Sequence, residues 1–212
     1  MQVELVSYSK PAWNTNLNAQ ELVAFCARVS NPNNQRNKDT SGPLIKYLIK
    51  HKHWSPFEMV SACLEIKTTR DIGRQILRHR SFSFQEFSQR YAVSNYFIYR
   101  EPRMQDTKNR QNSIECNDEM LHANWEDVQN ELLDEAKYAY NWALENGIAK
   151  EQARALLPEG LTETTMYMNG TLRSWIHYIE LRTGPETQKE HREVANECRR
   201  VLAEVFPVIN EL

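Results

Sequence analysis

The chain has 212 residues, 41% of them hydrophobic and 25% charged, with six glycines and eight prolines, which fits one soluble globular domain spanning 1–212 and excludes a disordered or linker-rich chain. A net charge of −2 excludes a protein that binds polyanions over its whole surface. No apolar run approaches the roughly 20 residues needed to cross a bilayer, so no membrane association is expected.

Residues 2–7 alternate as a first strand. Asn18, followed three residues later by Glu21, reads as a capping box that opens a helix running to about Val29. Residues 31–42 form a polar loop. Pro43 then stands at a helix start, and Leu44, Ile45, Leu48 and Ile49 give a helical stripe that ends near His53, ahead of Pro56. Val60, Ala62, Leu64 and Ile66 alternate with polar residues, which predicts a half-buried strand. Thr69-Arg70-Asp71 caps a short helix, 71–79. Residues 80–100 have no clean period and are expected as an irregular loop followed by an extended segment, and 104–115 as a second polar loop. The strongest helix runs from Asn117 to Asn146, with Trp125, Val128, Leu132, Ala136, Ala139 and Ala143 as its apolar stripe, and Gly147 closes it. A shorter helix, 149–157, stops before Pro158. Residues 161–168 are read as a strand. Helices 171–183 and 186–205 follow, split at Gly184-Pro185. The class is α+β, with few strands and dominant helices.

The charge is uneven. Residues 70–103 hold seven Arg against three acids, and residues 117–146 hold eight acids against one Lys. The basic segment suits a small anionic ligand better than a nucleic-acid track, so no nucleic-acid partner is expected. The acidic face of the long helix is expected to face solvent. Cys26, Cys63, Cys116 and Cys198 form no CxxC pair and are read as free, buried thiols. His51-x-His53 has no carboxylate or Cys at helpful spacing, so no metal site is expected. His122 and His191 are placed on helix surfaces. Trp125, Trp142 and Trp175 are assigned to core or interface packing. Met1-Gln2-Val3-Glu4-Leu5 carries no basic flank before an apolar stretch, so the cytoplasm is the expected location.

The densest polar stretch is Arg78-His79-Arg80-Ser81-Phe82-Ser83-Phe84-Gln85-Glu86-Phe87-Ser88-Gln89-Arg90. Before it, Arg70, Arg74 and Arg78 share one helix face, Gln75 lies on the adjoining edge, and Ile72 and Ile76 face the core. Guanidiniums bind phosphate bidentately and an amide can pair with a base edge, so the block suits a nucleotide.

RHR, seven residues, Ser, one residue, Arg, at 78–90, resembles the motif of the flavin-dependent thymidylate synthases. Five fixed positions match by accident on the order of once in ten thousand such chains. Further blocks resemble the family in order: Ala27-Arg28-Val29-Ser30, His53-Trp54-Ser55-Pro56-Phe57-Glu58, Gln75, Ala153-Arg154-Ala155-Leu156-Leu157-Pro158, and Arg173 through Arg182. The resemblance covers most of the chain. It implies a central, mostly antiparallel sheet flanked by long helices, and a homotetramer whose sites are each built from several subunits. It also implies reductive methylation of dUMP to dTMP, with methylenetetrahydrofolate as carbon donor, NADPH as reductant and FAD as mediator.

Position by position, the resemblance implies that Arg78, His79 and Arg80 contact FAD, with Ser30, His53, Ser55, Glu86, Thr171, Arg173 and His177 as further flavin-side contacts. Gln75, Arg78, Glu86, Phe87, Ser88, Gln89, Arg90, Arg154 and Arg182 would form the dUMP pocket. Catalysis would rest on Arg182, which polarises the uracil, with Ser88 orienting the nucleotide and His53 on the flavin side. The family's Asn-x-Arg stands here as Thr171-Leu172-Arg173, and Gln188 and Glu190 are given structural roles. No G-x-G-x-x-G and no G-x-x-x-x-G-K-[ST] occurs, so side-chain cations must offset the FAD pyrophosphate. Two rival readings are a catalytically inactive relative that binds nucleotide or flavin, and a basic nucleic-acid module on 70–103 whose binding would weaken steeply with salt.

Overall fold

The computed structural model describes residues 1–13 and 15–211. Its elements are β1 (Gln2–Tyr8), α1 (Ala19–Ala27), α2 (Ser41–Lys50), β2 (Ser61–Thr69), α3 (Arg70–Ile76), β3 (Phe82–Glu86), β4 (Arg103–Gln105), β5 (Ser113–Glu115), α4 (Glu119–Glu145), α5 (Lys150–Ala153), β6 (Glu163–Thr171), α6 (Leu172–Arg182) and α7 (Lys189–Ala203). The main sheet has the order β1-β2-β6-β3, and every neighbouring pair is antiparallel. The class is the expected α+β.

Alternation along the strands builds the core. Ala62, Leu64 and Ile66 of β2 and Met166 and Met168 of β6 are buried with Leu22 and Val23 of α1, Ile45 and Leu48 of α2, Ile72 and Ile76 of α3, Trp175 and Ile179 of α6, and Leu202 of α7. Each such Leu, Ile, Val or Met side chain contributes about 1.5–3 kcal/mol of burial. The Trp175 indole N–H donates to the Ala62 carbonyl at 3.0 Å, which locks α6 to β2. Gly170 is required where β6 passes β3, because an added Cβ would lie 2.4 Å from the Phe82 ring.

The helix ends follow local rules. Asn18 and Glu21 form the expected capping box, each side chain accepting the other's backbone N–H at 2.8 Å. After α4, Gly147 takes φ +77°, and Ile148 N–H reaches back to Ala143 O at 2.9 Å. The same motif closes α2, with Lys52 at φ +58° in place of glycine and His53 N–H donating to Leu48 O at 2.8 Å. Pro43 falls in the first turn of a helix that begins two residues earlier, where a missing N–H costs nothing.

Several expectations need correction. Residues 82–86 are not loop but the edge strand β3, because Phe82 and Phe84 pack beside the core while Ser83 and Gln85 face out. Residues 104–115 include a small hairpin, β4–β5, rather than loop alone. The buried side of α4 is Gln129, Leu133, Ala136, Tyr140 and Ala143, offset from the expected stripe, and Trp125, Val128, Leu132 and Trp142 are exposed. Gln129 is drawn inward because its amide bonds both backbone groups of one residue, accepting from Arg100 N–H at 2.8 Å and donating to Arg100 O at 3.0 Å. The acids of α4 face solvent as expected. His191 is fully buried rather than on a surface, because the turn through residues 183–188 folds α7 back against α6. The four cysteines are free, although only Cys198 is buried. Among the described residues no helix is long and apolar enough to cross a membrane.

Candidate active site

The turn after α3, the edge strand β3 and the segment that follows it carry the motif. Arg78 and Arg80 lie on the turn, are exposed, and have no acidic partner among the described residues. His79 turns inward instead. Its Nε2 accepts from Arg182 Nε at 2.9 Å, so the proton of the neutral ring sits on Nδ1. Burial, then Arg182, then Arg78 hold the His79 pKa down to about 4. The imidazole is therefore neutral at pH 7. Arg182, at the last turn of α6, is thereby tied to the turn after α3.

The expected fork of Arg70, Arg74 and Arg78 is split by Glu86. Arg70 is buried, with Nη1 at 3.5 Å from Glu86, and Arg74 meets the second Glu86 oxygen at 3.1 Å. Thr164 donates to Glu86 at 2.9 Å. Arg74 also pairs with Glu159 at 3.1 Å. Glu86 thus gathers two guanidiniums. Beside them is a cleft of about 440 Å³ whose lining includes Arg70, Arg74, Gln89, Arg154, Glu151 and Glu159. Arg70 Nη1 and Gln89 Nε2 are buried there without a hydrogen-bond acceptor. Two buried donors without acceptors, beside a cleft that Arg74 and Arg154 also line, fit an anionic ligand.

The segment Phe87–Arg90 forms the cleft's flank. Phe87 N–H donates to Thr165 O at 2.8 Å, and Tyr91 N–H to Ser88 O at 3.1 Å, so the strand ends in a tight turn. The Ser88 hydroxyl accepts from the Arg90 N–H at 3.4 Å. Arg90 pairs with Glu151 at 3.2 Å, and Arg154 Nε donates to the Glu151 carbonyl at 3.2 Å. The structure therefore brings Glu86, Gln89, Arg90 and Arg154 into one neighbourhood, as the motif anticipates.

A second group gathers near the start of α6. Thr171 caps that helix, its hydroxyl accepting the Ser174 N–H at 3.3 Å. Arg173 is ion-paired with Glu58, in the turn that also carries Ser55. The His177 ring meets Trp54 edge-on at 4.6 Å. His53 is exposed, with its ring 6.1 Å from Tyr47 and 6.2 Å from His51. Ser30 is exposed on the loop after α1, which buried Arg28 braces through Thr40 at 2.7 Å. Arg173 and Arg182 stand nine residues apart on α6, about 14 Å along its axis. Imidazole, hydroxyl and guanidinium donors thus line one end of α6, and the cationic turn lies towards the other.

Sequence reading gave no role to Glu58, Glu159 or Tyr178 and put His191 on a surface; only the fold brings each to a named partner. Gln75 was expected at a ligand edge, and the fold places it between Gln188 at 2.7 Å and His191 at 3.2 Å.

The fold and these clefts define an α+β protein that presents clustered cations to a small anionic ligand. A family model described as thymidylate synthase complementing protein matches residues 12–208. The chain is 51% identical over 210 residues to a probable flavin-dependent thymidylate synthase of Paramecium bursaria Chlorella virus 1, covering 99% of this chain and 97% of that one. It is 45% identical over 212 residues to the flavin-dependent thymidylate synthase of Synechocystis, with the same coverage of both. Among solved structures, the UMP/dUMP methylase PolB of Streptomyces cacaoi bound with 5-Br dUMP superposes with a TM-score of 0.85 at 27% identity, covering 99% of this chain and 93% of that one. The chain belongs to the family of flavin-dependent thymidylate synthases.

Proposed function

We propose that this chain converts dUMP, methylenetetrahydrofolate and NADPH with one proton into dTMP, tetrahydrofolate and NADP+, using bound FAD. The observation that carries the reading is the cleft in which the buried, unsatisfied donors of Arg70 and Gln89 meet Arg74 and Arg154. A nucleotide phosphate is an acceptor of the right charge for that donor set. In this reading Arg182 supplies a cation beside the uracil. It would favour an anionic, electron-rich ring and so a better nucleophile at C5. That chemistry needs no protein nucleophile; Ser88 and Gln75 orient the substrate.

The residues present also fit a flavin. Arg78 and Arg80 are cations free to offset a pyrophosphate, and Ser30, His53, Ser55, Thr171, Arg173, His177, His79 and Glu86 are the further side chains assigned to hold it. When bound, FAD would supply the hydride chemistry that couples NADPH to the carbon unit. We infer a homotetramer as well. The exposed apolar side chains of α4, Val128, Leu132 and Trp142 among them, make a face suited to a second copy, and assembly would bring the two ends of α6 into shared sites. The reading places the enzyme in the cytoplasm.

Purified protein should be yellow or turn yellow with FAD, and anaerobic mixing with dUMP, methylenetetrahydrofolate and NADPH should yield dTMP. A colourless protein with no FAD affinity removes the reading. Binding of both FAD and dUMP without dTMP would make the chain an inactive relative.

A further inference from the structure

A line of hydrogen bonds joins α3, the start of α7 and α6, and its direction can be derived. Glu190 is paired with Arg100 at 3.3 Å. Its carboxylate can only accept, so Gln188, at 2.8 Å, must present its Nε2–H to it. The Gln188 Oε1 is then the end that faces Gln75 at 2.7 Å, so Gln75 presents Nε2–H there. The Gln75 Oε1 is left towards His191 at 3.2 Å, which requires a proton on His191 Nδ1. His191 Nε2 is then an acceptor, and Tyr178, at 3.2 Å, supplies its O–H. Each step leaves one choice, because an amide oxygen cannot donate and a neutral imidazole has one N–H.

We propose that His191 is a positioning residue that, with Gln188, holds the Gln75 amide from its oxygen end, so that the free N–H of Gln75 meets an acceptor oxygen of the nucleotide. The proposal rests on the dUMP reading above for the ligand, but the hydrogen-bond line stands without it. Burial supports it independently. His191 is fully buried, and burial with nearby Arg182 and His79 holds its pKa down to about 3, so the ring stays neutral at working pH. Tyr178 is equally enclosed and its hydroxyl is held protonated, its pKa pushed well above the usual phenol value by burial. Both donors are therefore constant across the neutral range. Among the described residues Gln75 and Tyr178 are the hydrogen-bond partners of His191, which a merely space-filling role would not need.

The test joins spectroscopy to kinetics. In wild-type protein, 15N NMR of His191 should show the Nδ1–H tautomer; an Nε2–H ring overturns the proposal whether or not the chain makes dTMP. His191→Leu should weaken dUMP binding about tenfold, with kcat changed less than about twofold, as expected for loss of one oriented hydrogen bond. His191→Asn, whose amide N–H can stand in for Nδ1–H, should recover most of that loss. Equal losses in His191→Leu and His191→Asn overturn the proposal, as does unchanged dUMP affinity in His191→Leu. Tyr178→Phe covers the case in which His191→Leu fails to fold. It leaves Gln75 Oε1 as the remaining partner of the ring, so the Nδ1–H tautomer should persist, and an Nε2–H ring again overturns the proposal. If wild-type protein binds dUMP but makes no dTMP, the catalytic reading fails while the affinity comparison still decides this one.

Discussion

Arg182 Nε lies 2.9 Å from His79 Nε2, a donor–acceptor pair that joins the last turn of α6 to the turn after α3. A histidine that accepts from arginine cannot be protonated without losing that bond and facing a like charge. This pair therefore sets both the electrostatics of the site and the acid sensitivity of the fold.

The pKa of His79 is lowered to about 4 and that of His191 to about 3, against an ordinary value of 6.5. Between those values and 6.5 the unfolded chain binds more protons than the folded one, so stability falls as pH falls. Thermal scans should show a full Tm above about pH 6.5 and a progressive decline towards pH 4. Arg182→Met should flatten the decline, because it removes a charge that disfavours protonation of both rings. An equal slope in the variant would assign the effect to burial alone.

Arg182→Ala should lower dTMP formation by at least about 100-fold, the usual scale for losing one electrostatic stabiliser of a transition state. Flavin absorbance should be retained. Loss of flavin in step with turnover would instead give Arg182 a role in folding or cofactor retention.

Glu86→Gln should cost about 3 kcal/mol in urea unfolding, because Arg70 then keeps a buried charge without its counter-ion. Arg70 and Glu86 expose only 10% and 15% of their side chains, so solvent cannot take over. The dUMP affinity should fall as well, since the guanidiniums lose the group that gathers them. A loss below about 1 kcal/mol would show that Thr164 and Glu159 hold the cluster unaided.

Lys52 occupies the left-handed region at φ +58°. That conformation costs a residue with a side chain roughly 1–2 kcal/mol more than glycine. Lys52→Gly should raise Tm while leaving turnover intact, because the turn that delivers His53 is kept. A lowered Tm would show that the Lys52 side chain contributes more than its backbone costs.

Val128→Glu combined with Leu132→Glu should reduce the oligomer seen by sedimentation, with helix content unchanged, since both side chains are half exposed on α4. Unchanged assembly would place the interface elsewhere.

Much of the fold was legible because its signals are local. Asn18 and Glu21 announce α1, Gly147 ends α4, and the alternation from Val60 to Ile66 specifies the buried side of β2. The motif was legible for a similar reason, since 78–90 is a contiguous block on one turn, one edge strand and the segment after it. What could not be read is whatever depends on long-range closure. The inward face of α4 is set by the peptide of Arg100, 29 residues from Gln129. The division of the arginines is set by Glu86, and the burial of His191 by the return of α7 over Tyr178. Period and propensity sum over neighbours in sequence, whereas an amide or imidazole goes inside only where the folded chain supplies its partners. The amino-acid order thus determined the elements, the motif and the family, and the tertiary structure decided which charges are neutralised, which donors stay open, and which way the Gln75 amide faces.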